Sequence, residues 1–293
     1  MKFDLVIDAN RELTETPIWD NRNGKLYWTD LFSGDIHEYD PVTGGDNSWS
    51  TGEMIGAAIP CKDPGKLVCA IERGICLLDK ATGHLEVLAD PNGGNPDNRY
   101  NDTRVDAAGR IFASTVSKKY GSDAYEPTML GAFYMIDTDG SVKTIVDGIN
   151  QYNAIVWNKD NTKMFVVDTY HCKLLAFDYD LAKGPVSGPK EVIDFGELGM
   201  PDGMSIDSED NLYVCHWTGH ISVWNRSMEL VQTIDFPVEQ VCCTGFGGED
   251  LKDLYVATAH FGYTPEQMAD RRGAGGIFKA RVETAGAMDH FYL

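Results

Sequence analysis

A polar turn followed by a short apolar–aromatic segment recurs six times along the chain, and this period limits the possible folds more than any other feature. The copies are "NRNGKLYWTD", "KDPGKLVCAI", "DAAGRIFAST", "NKDNTKMFVVD", "SEDNLYVC" and "GEDLKDLYVAT". Their landmark residues, Leu26, Leu67, Ile111, Met164, Leu212 and Leu254, are separated by 41, 44, 53, 48 and 42 residues. Segments of this length, rich in β-branched and aromatic residues and bounded by Asp, Asn and Gly, are strands. Six copies at this spacing predict an all-β, six-bladed β-propeller with four antiparallel strands per blade. After most landmarks a second strand runs into an Asp-bearing turn, as in "GDIHEYDPVTG" and "GAFYMIDTDG", which is how a blade's next hairpin should read. The 293 residues are expected to form a single propeller domain spanning 1–293, with "GGIFKARV" a candidate for closing the ring.

The 53-residue interval carries an extra polar segment, residues 117–129, placed to serve as a lid over one mouth of the channel. A second irregular connection, "YTPEQMADRRGAGG", has room for one or two helical turns. The seven cysteines form no Cys-X-X-Cys pair and several sit inside apolar runs. They read as reduced, mostly buried thiols of a cytoplasmic protein rather than as a zinc–cysteine cluster. The formal charge of −20 repels nucleic acid and anionic membrane, so neither is expected as a partner. No apolar run approaches the ~18 residues of a membrane span, and the start of the chain is too charged for a signal-peptide core.

The strand before each landmark should be the innermost of its blade. Ten or eleven residues upstream of the six landmarks stand Glu15, Gly56, Asn101, Asn153, Asp202 and Cys243. Innermost strands run side by side around the axis, so these positions form a ring at one mouth. Four of the six are oxygen donors, and a buried polar ring needs partners. Glu15 and Asp202 would also repel one another there. A divalent cation answers both needs, with Glu15, Asn153 and Asp202 as ligands. Carboxylate and amide oxygens suit Ca²⁺ first, with Mg²⁺ and Mn²⁺ as further choices and Zn²⁺ a last one.

The chain resembles the senescence-marker-protein/regucalcin/gluconolactonase family of six-bladed propellers. The likeness is carried by "ETPIWDNRNGKLYWTDLFSGDIHEYDP", "DNRYNDTRVDAAGRIFAST", "YNAIVWNKDNTKMFVVDTYHCKLLAFDYD", "MPDGMSIDSEDNLYVC", "VCCTGFGGEDLKDLYVATA" and "GAGGIFKARV", in order along nearly the whole chain. The resemblance implies a metal held by Glu15, Asn153 and Asp202, and a substrate bound by Arg99 and Asn101. It also implies metal-dependent hydrolysis of a sugar lactone to the open-chain sugar acid, with Asp202 as both ligand and catalytic base. Two other readings stand beside it: a non-catalytic calcium-binding regulator, and an esterase or phosphotriesterase on the same scaffold. The rim candidates Arg99, Tyr100, Asn101, Tyr152 and His260 are polar, which favours a sugar over an apolar ester. Which lactone, which metal, whether the chain is a monomer or a dimer, and the roles of His171, His216, His220 and His260 are left open.

Overall fold

The computed structural model describes residues 1–118 and 129–293. It contains six small antiparallel sheets arranged around an axis as the blades of a six-bladed propeller, five of four strands and one of five. The innermost strands are Thr14–Asp20, Ile55–Pro60, Asn98–Val105, Tyr152–Trp157, Pro201–Ile206 and Val241–Gly247. Each touches the next in turn, and the sixth touches the first, which closes the ring. Every landmark residue lies in the second strand of its blade, and all six are buried. The expected lid, residues 117–129, falls almost wholly outside the described residues.

The recurring Asp or Asn of the turns has a local task. Asp106 Oδ1 accepts from the backbone N–H of Ala108 and Arg110, and Asp207 Oδ1 from those of Glu209 and Asn211. Asn158 Oδ1 does the same for Thr162 and Lys163. The side chain thus stands in for a missing ladder partner and fixes the hairpin. Between blades the sheets pack face to face. Blades 3 and 4 meet through Phe112, Phe133, Phe177 and Tyr179, and blades 4 and 5 through Phe165, Phe195, Met204 and Val214. The core is therefore a set of layers between neighbouring blades.

The last blade is completed by the first strand of the chain. Val241–Gly247, Asp253–Thr258 and Ile277–Arg281 are joined by Asp4–Ile7. Asp4 faces Lys279 and Leu5 faces Phe278 across this antiparallel pair. The segment ahead of Ile277 holds one short helix, Pro265–Asp270, capped by Thr264 in a capping box with Gln267. All seven cysteines are free thiols, six of them buried, as the sequence predicts.

All six innermost strands share an irregularity at one height. Their register with the second strand slips by one residue between Glu15 and Ile18, Ile55 and Ala57, Tyr100 and Thr103, Asn153 and Ile155, Pro201 and Met204, and Val241 and Cys243. These are β-bulges, which bend a strand and re-aim its side chains. Thr16 and Ala154 sit in the left-handed region there, at φ 45° and 44°, a conformation that costs a non-glycine residue about 1–3 kcal/mol. Gly56 is glycine because neighbouring backbone leaves no room: a Cβ there would lie 2.3 Å from the Asn101 carbonyl oxygen.

Deleting Met1–Ile7 should leave Ile277–Arg281 as an open edge in a three-stranded blade. The expected result is a lower melting temperature together with concentration-dependent aggregation by light scattering. His216 is fully buried in blade 5, where its ring pairs with Ser222 Oγ at 2.8 Å and the Gly199 carbonyl at 3.2 Å and stacks on His220. Burial lowers its pKa to about 4 from the ordinary 6.5. The folded state therefore refuses a proton that the unfolded chain accepts, and stability is lost as pH falls from 6.5 toward 4, by up to roughly 3 kcal/mol. Denaturant titrations across that window should show a shallower pH slope in His216→Gln than in the parent.

Candidate metal and substrate site

Glu15, Arg99, Asn101, Asn153 and Asp202 all line one cavity of about 100 Å³ where the innermost strands begin. They come from blades 1, 3, 4 and 5 and are brought together by the common height of the bulges. Gly56 contributes no side chain. Cys243 supplies a hydrogen bond instead of an oxygen, its Sγ donating to Glu15 Oε2 at 2.7 Å.

The donors are held in a connected network. Arg99 is buried, and its Nη1 donates to Asn101 Oδ1 at 2.8 Å and to the Tyr100 carbonyl at 3.0 Å. Asn101 Nδ2 in turn donates to Asn153 Oδ1 and to the Tyr152 carbonyl. Asn153 Nδ2 donates to Thr169 Oγ1 at 2.7 Å. Asp102 lies one residue past Asn101, and its Oδ2 accepts from the backbone N–H of Ala154 at 2.5 Å. That bond holds the left-handed bulge immediately after Asn153. Trp217 Nε1 donates to Asp202 Oδ2 at 2.5 Å.

Burial pushes the carboxyls of both Glu15 and Asp202 above the ordinary carboxylate range. The Asp102 charge adds to the effect on Glu15, and the Glu15 charge to that on Asp202. Hydrogen bonds from Cys243 and Trp217 oppose it without cancelling it. Two carboxylates held above their ordinary range, with amide oxygens beside them, form a hard donor set short of positive charge. The residues present fit a divalent cation. Carboxylate oxygens of Glu15 and Asp202 lie within 4.8 Å of one another and of Cys242 Sγ.

The rim differs from expectation. The remaining lining is Leu13, Phe32, Gln151, Thr169, Met200, Trp217 and Phe261, with Phe32 and Phe261 stacked at 5.6 Å. Tyr100 and Tyr152 are buried between blades instead. The Tyr100 hydroxyl donates to Asp90 Oδ1 at 3.0 Å, and Tyr152 packs edge-on against Phe133. Successive strand side chains face opposite ways, so both tyrosines are turned from the axis that their neighbours Asn101 and Asn153 face. The histidines also lie away from the cavity. His171 is exposed and paired with Asp168 at 2.9 Å, His216 and His220 stack within blade 5, and His260 is outside the cavity lining. Trp217, Asp102 and Thr169 escape the sequence reading because offset counting sees one position per innermost strand. Trp217 and Thr169 follow the second strands of their blades, and Asp102 is one step out of register.

At the far end of the channel the innermost strands finish around a larger cavity of about 410 Å³, lined by Arg104, Ile155, Ile206 and Phe246 together with Gly286 and Asp289 of the C-terminal segment.

Comparison with known proteins agrees with this architecture. Residues 13–260 match the model of the SMP-30/gluconolactonase/LRE-like region. The chain is 30% identical to the pentonolactonase XacC of Haloferax volcanii, across 98% of this chain and 96% of that protein. It is 29% identical to regucalcin of Danio rerio, across 95% and 94%. Among solved structures, the calcium-binding protein regucalcin of Agrobacterium tumefaciens superposes with a TM-score of 0.92 at 25% identity, covering 99% of this chain and 96% of that one. With one blade pattern, one ring of axial donors and one family model running through most of its length, the chain belongs to the SMP-30/gluconolactonase/LRE-like family.

Proposed function

We propose that the protein is a metal-dependent lactonase that opens a sugar lactone to its sugar acid. The observation that carries this reading is the meeting of Glu15, Asn153, Asp202, Arg99 and Asn101 at one cavity, in a chain that aligns end to end with a named pentonolactonase. Glu15, Asn153 and Asp202 would hold the cation. When bound, a divalent cation supplies Lewis-acid polarisation of the ester carbonyl and neutralises the facing carboxylates.

The chain's own residues do the rest. Asp202 Oδ2 is anchored by the Trp217 indole, which leaves Oδ1 to take a proton from the attacking water. The water oxygen bonds to the carbonyl carbon and the ring C–O bond breaks. The proton held by Asp202 passes to the departing ring oxygen, which leaves as a hydroxyl. Arg99 and Asn101 are pre-positioned by their mutual hydrogen bond and orient the substrate hydroxyls. Phe32, Phe261 and Trp217 offer apolar faces against which the C–H side of a sugar ring packs and water is excluded.

A second reading is favoured by that same wall. Five apolar or aromatic residues at the mouth, Leu13, Phe32, Met200, Trp217 and Phe261, also suit an apolar ester. The deciding experiment is hydrolysis followed by proton release on a panel of aldonolactones and aryl esters, using chelator-stripped protein with Ca²⁺, Mg²⁺, Mn²⁺ or Zn²⁺ restored in turn. Turnover of aldonolactones should vanish on stripping and return with metal. Preference for aryl esters would establish the second reading, and metal binding with no turnover of any ester would leave a binding protein.

Asp202→Asn is expected to lower kcat by about 10²–10⁴-fold. Near-normal turnover in that variant would remove Asp202 from the base role. Arg99→Lys keeps the charge but loses the fork, and should raise KM more than it lowers kcat in steady-state assays.

A further inference from the structure

The larger cavity, at the far end of the channel, takes no part in the reaction above. All six innermost strands contribute to its wall, through Ile18, Ile59, Val105, Ile155, Ile206 and Phe246. Its volume of about 410 Å³ is that of a small-molecule site. The segment 285–292 supplies the remaining wall. The Ala285 carbonyl accepts from the Ser208 N–H at 2.9 Å, and the N–H groups of Gly286 and Ala287 donate to the Leu251 and Ile206 carbonyls at 2.8 and 2.9 Å. Farther along, the Tyr292 carbonyl accepts from the Lys62 N–H at 2.6 Å. Residue 286 has to be glycine, since a Cβ there would lie 2.1 Å from Phe246 Cβ. The segment is thus pinned to blades 5 and 6 at one end and to blade 2 at the other, and it carries Asp289 to the cavity.

Two charged groups stand in this largely apolar cavity without satisfying one another. Arg104 is only 8% exposed. Among the described residues its guanidinium makes one hydrogen bond, from Nη1 to the Thr103 carbonyl at 3.0 Å, and one ion pair, to Asp102 Oδ1 at 3.5 Å. Most of the fork's N–H donors are left over, and Asp102 Oδ1 itself has no hydrogen-bond partner among the described residues. The Arg104 charge favours ionised Asp289, but burial outweighs it and holds that carboxyl above its ordinary range. A gap therefore separates guanidinium from carboxyl. The other charges at the cavity are committed or peripheral. Asp207 accepts from Glu209 and Asn211 in its own turn, and Lys159 and His290 are exposed.

We propose that this cavity binds a zwitterionic α-amino acid with an apolar side chain, its carboxylate on the Arg104 fork, its ammonium on Asp289 and its side chain against the apolar wall. A guanidinium can hold a carboxylate through two parallel N–H···O bonds. A simple anion would meet Asp289 and Asp102 as well as Arg104, and a simple cation would meet Arg104. A zwitterion offers each group the opposite sign. Carboxylate and ammonium on one carbon also suit two protein groups that face one cavity without touching. Ile155, Met204, Ile206 and Phe246 supply apolar surface for a side chain of leucine, methionine or phenylalanine size. The binding is non-covalent and does not depend on the lactonase reading.

The test is calorimetric titration of the full chain with L-phenylalanine, hydrocinnamate and phenethylamine. The second and third keep the ring but lack the ammonium and the carboxylate respectively. L-Phenylalanine should bind once per chain, and each analogue about tenfold more weakly or worse. Asp289→Asn should weaken L-phenylalanine by about tenfold or more and leave hydrocinnamate as it was or tighter. Arg104→Gln should abolish binding of both. Because that variant leaves Asp102 without its ion pair, its melting temperature is measured alongside, and the analogue series on the unsubstituted protein answers whether or not it folds. No binding of L-phenylalanine, L-leucine or L-methionine at millimolar concentration would overturn the proposal. Equal affinity for the three phenyl ligands would do the same. So would L-phenylalanine binding that Asp289→Asn leaves unchanged, which would put the ligand elsewhere on the protein.

Discussion

The carboxylates of Glu15 and Asp202 stand on blades 1 and 5, where six strands converge, and the charge of Glu15 raises the cost of ionising Asp202. A fold does not keep such a pair for stability, because well-packed apolar side chains would serve at least as well. The rest of the axis is arranged around that repulsion. Trp217 and Cys243 each give one carboxylate a hydrogen bond. Arg99 brings positive charge near both and leads the chain of amides through Asn101 and Asn153 to Thr169. Nothing in this network is long or loosely tethered, so little reorganisation remains when a charged ligand arrives.

The bulges make that geometry available. A regular strand alternates its side chains between the two inter-blade layers and has no natural way to send a donor along the channel. One extra residue per innermost strand, placed at the same height in all six, turns Glu15, Asn101, Asn153 and Asp202 to a common cavity. The cost is visible as left-handed backbone at Thr16 and Ala154. Asp102 offsets part of it by accepting the Ala154 N–H. Asp102 thus serves the site through the backbone, and its charge acts on Glu15, without its lining the cavity.

Much of this is legible in the chain itself. The blades are readable because each hairpin needs an Asp or Asn to bond its own turn, and that chemistry recurs at a countable interval. The ring residues are readable because blades of one size put equivalent positions a fixed distance from their landmarks. The bulge is where legibility ends. Counting back from Leu254 lands on Cys243, whose thiol bonds Glu15, but nothing in the spacing shows that Cys242 is the unpaired residue of that strand's bulge. The mouth is misread for a related reason. Tyr100 and Tyr152 are adjacent to ring residues in sequence but face the packed layers, while Phe32, Trp217 and Phe261 reach the mouth from segments following the second strands. His216 looks like a candidate base until its burial against Ser222 and Gly199 is seen.

The pairing of Asp4 with Lys279 also sets the order in which the molecule becomes functional during its synthesis. Asp4–Ile7 leaves the ribosome well ahead of Ile277–Arg281, the strand it pairs with. Glu15 likewise waits for Asp202. A nascent or prematurely terminated chain therefore carries an unsealed ring and half an axial site. Synthesis of Asp202 brings the axial donors into one chain, and synthesis of Ile277–Arg281 then lets the ring be sealed.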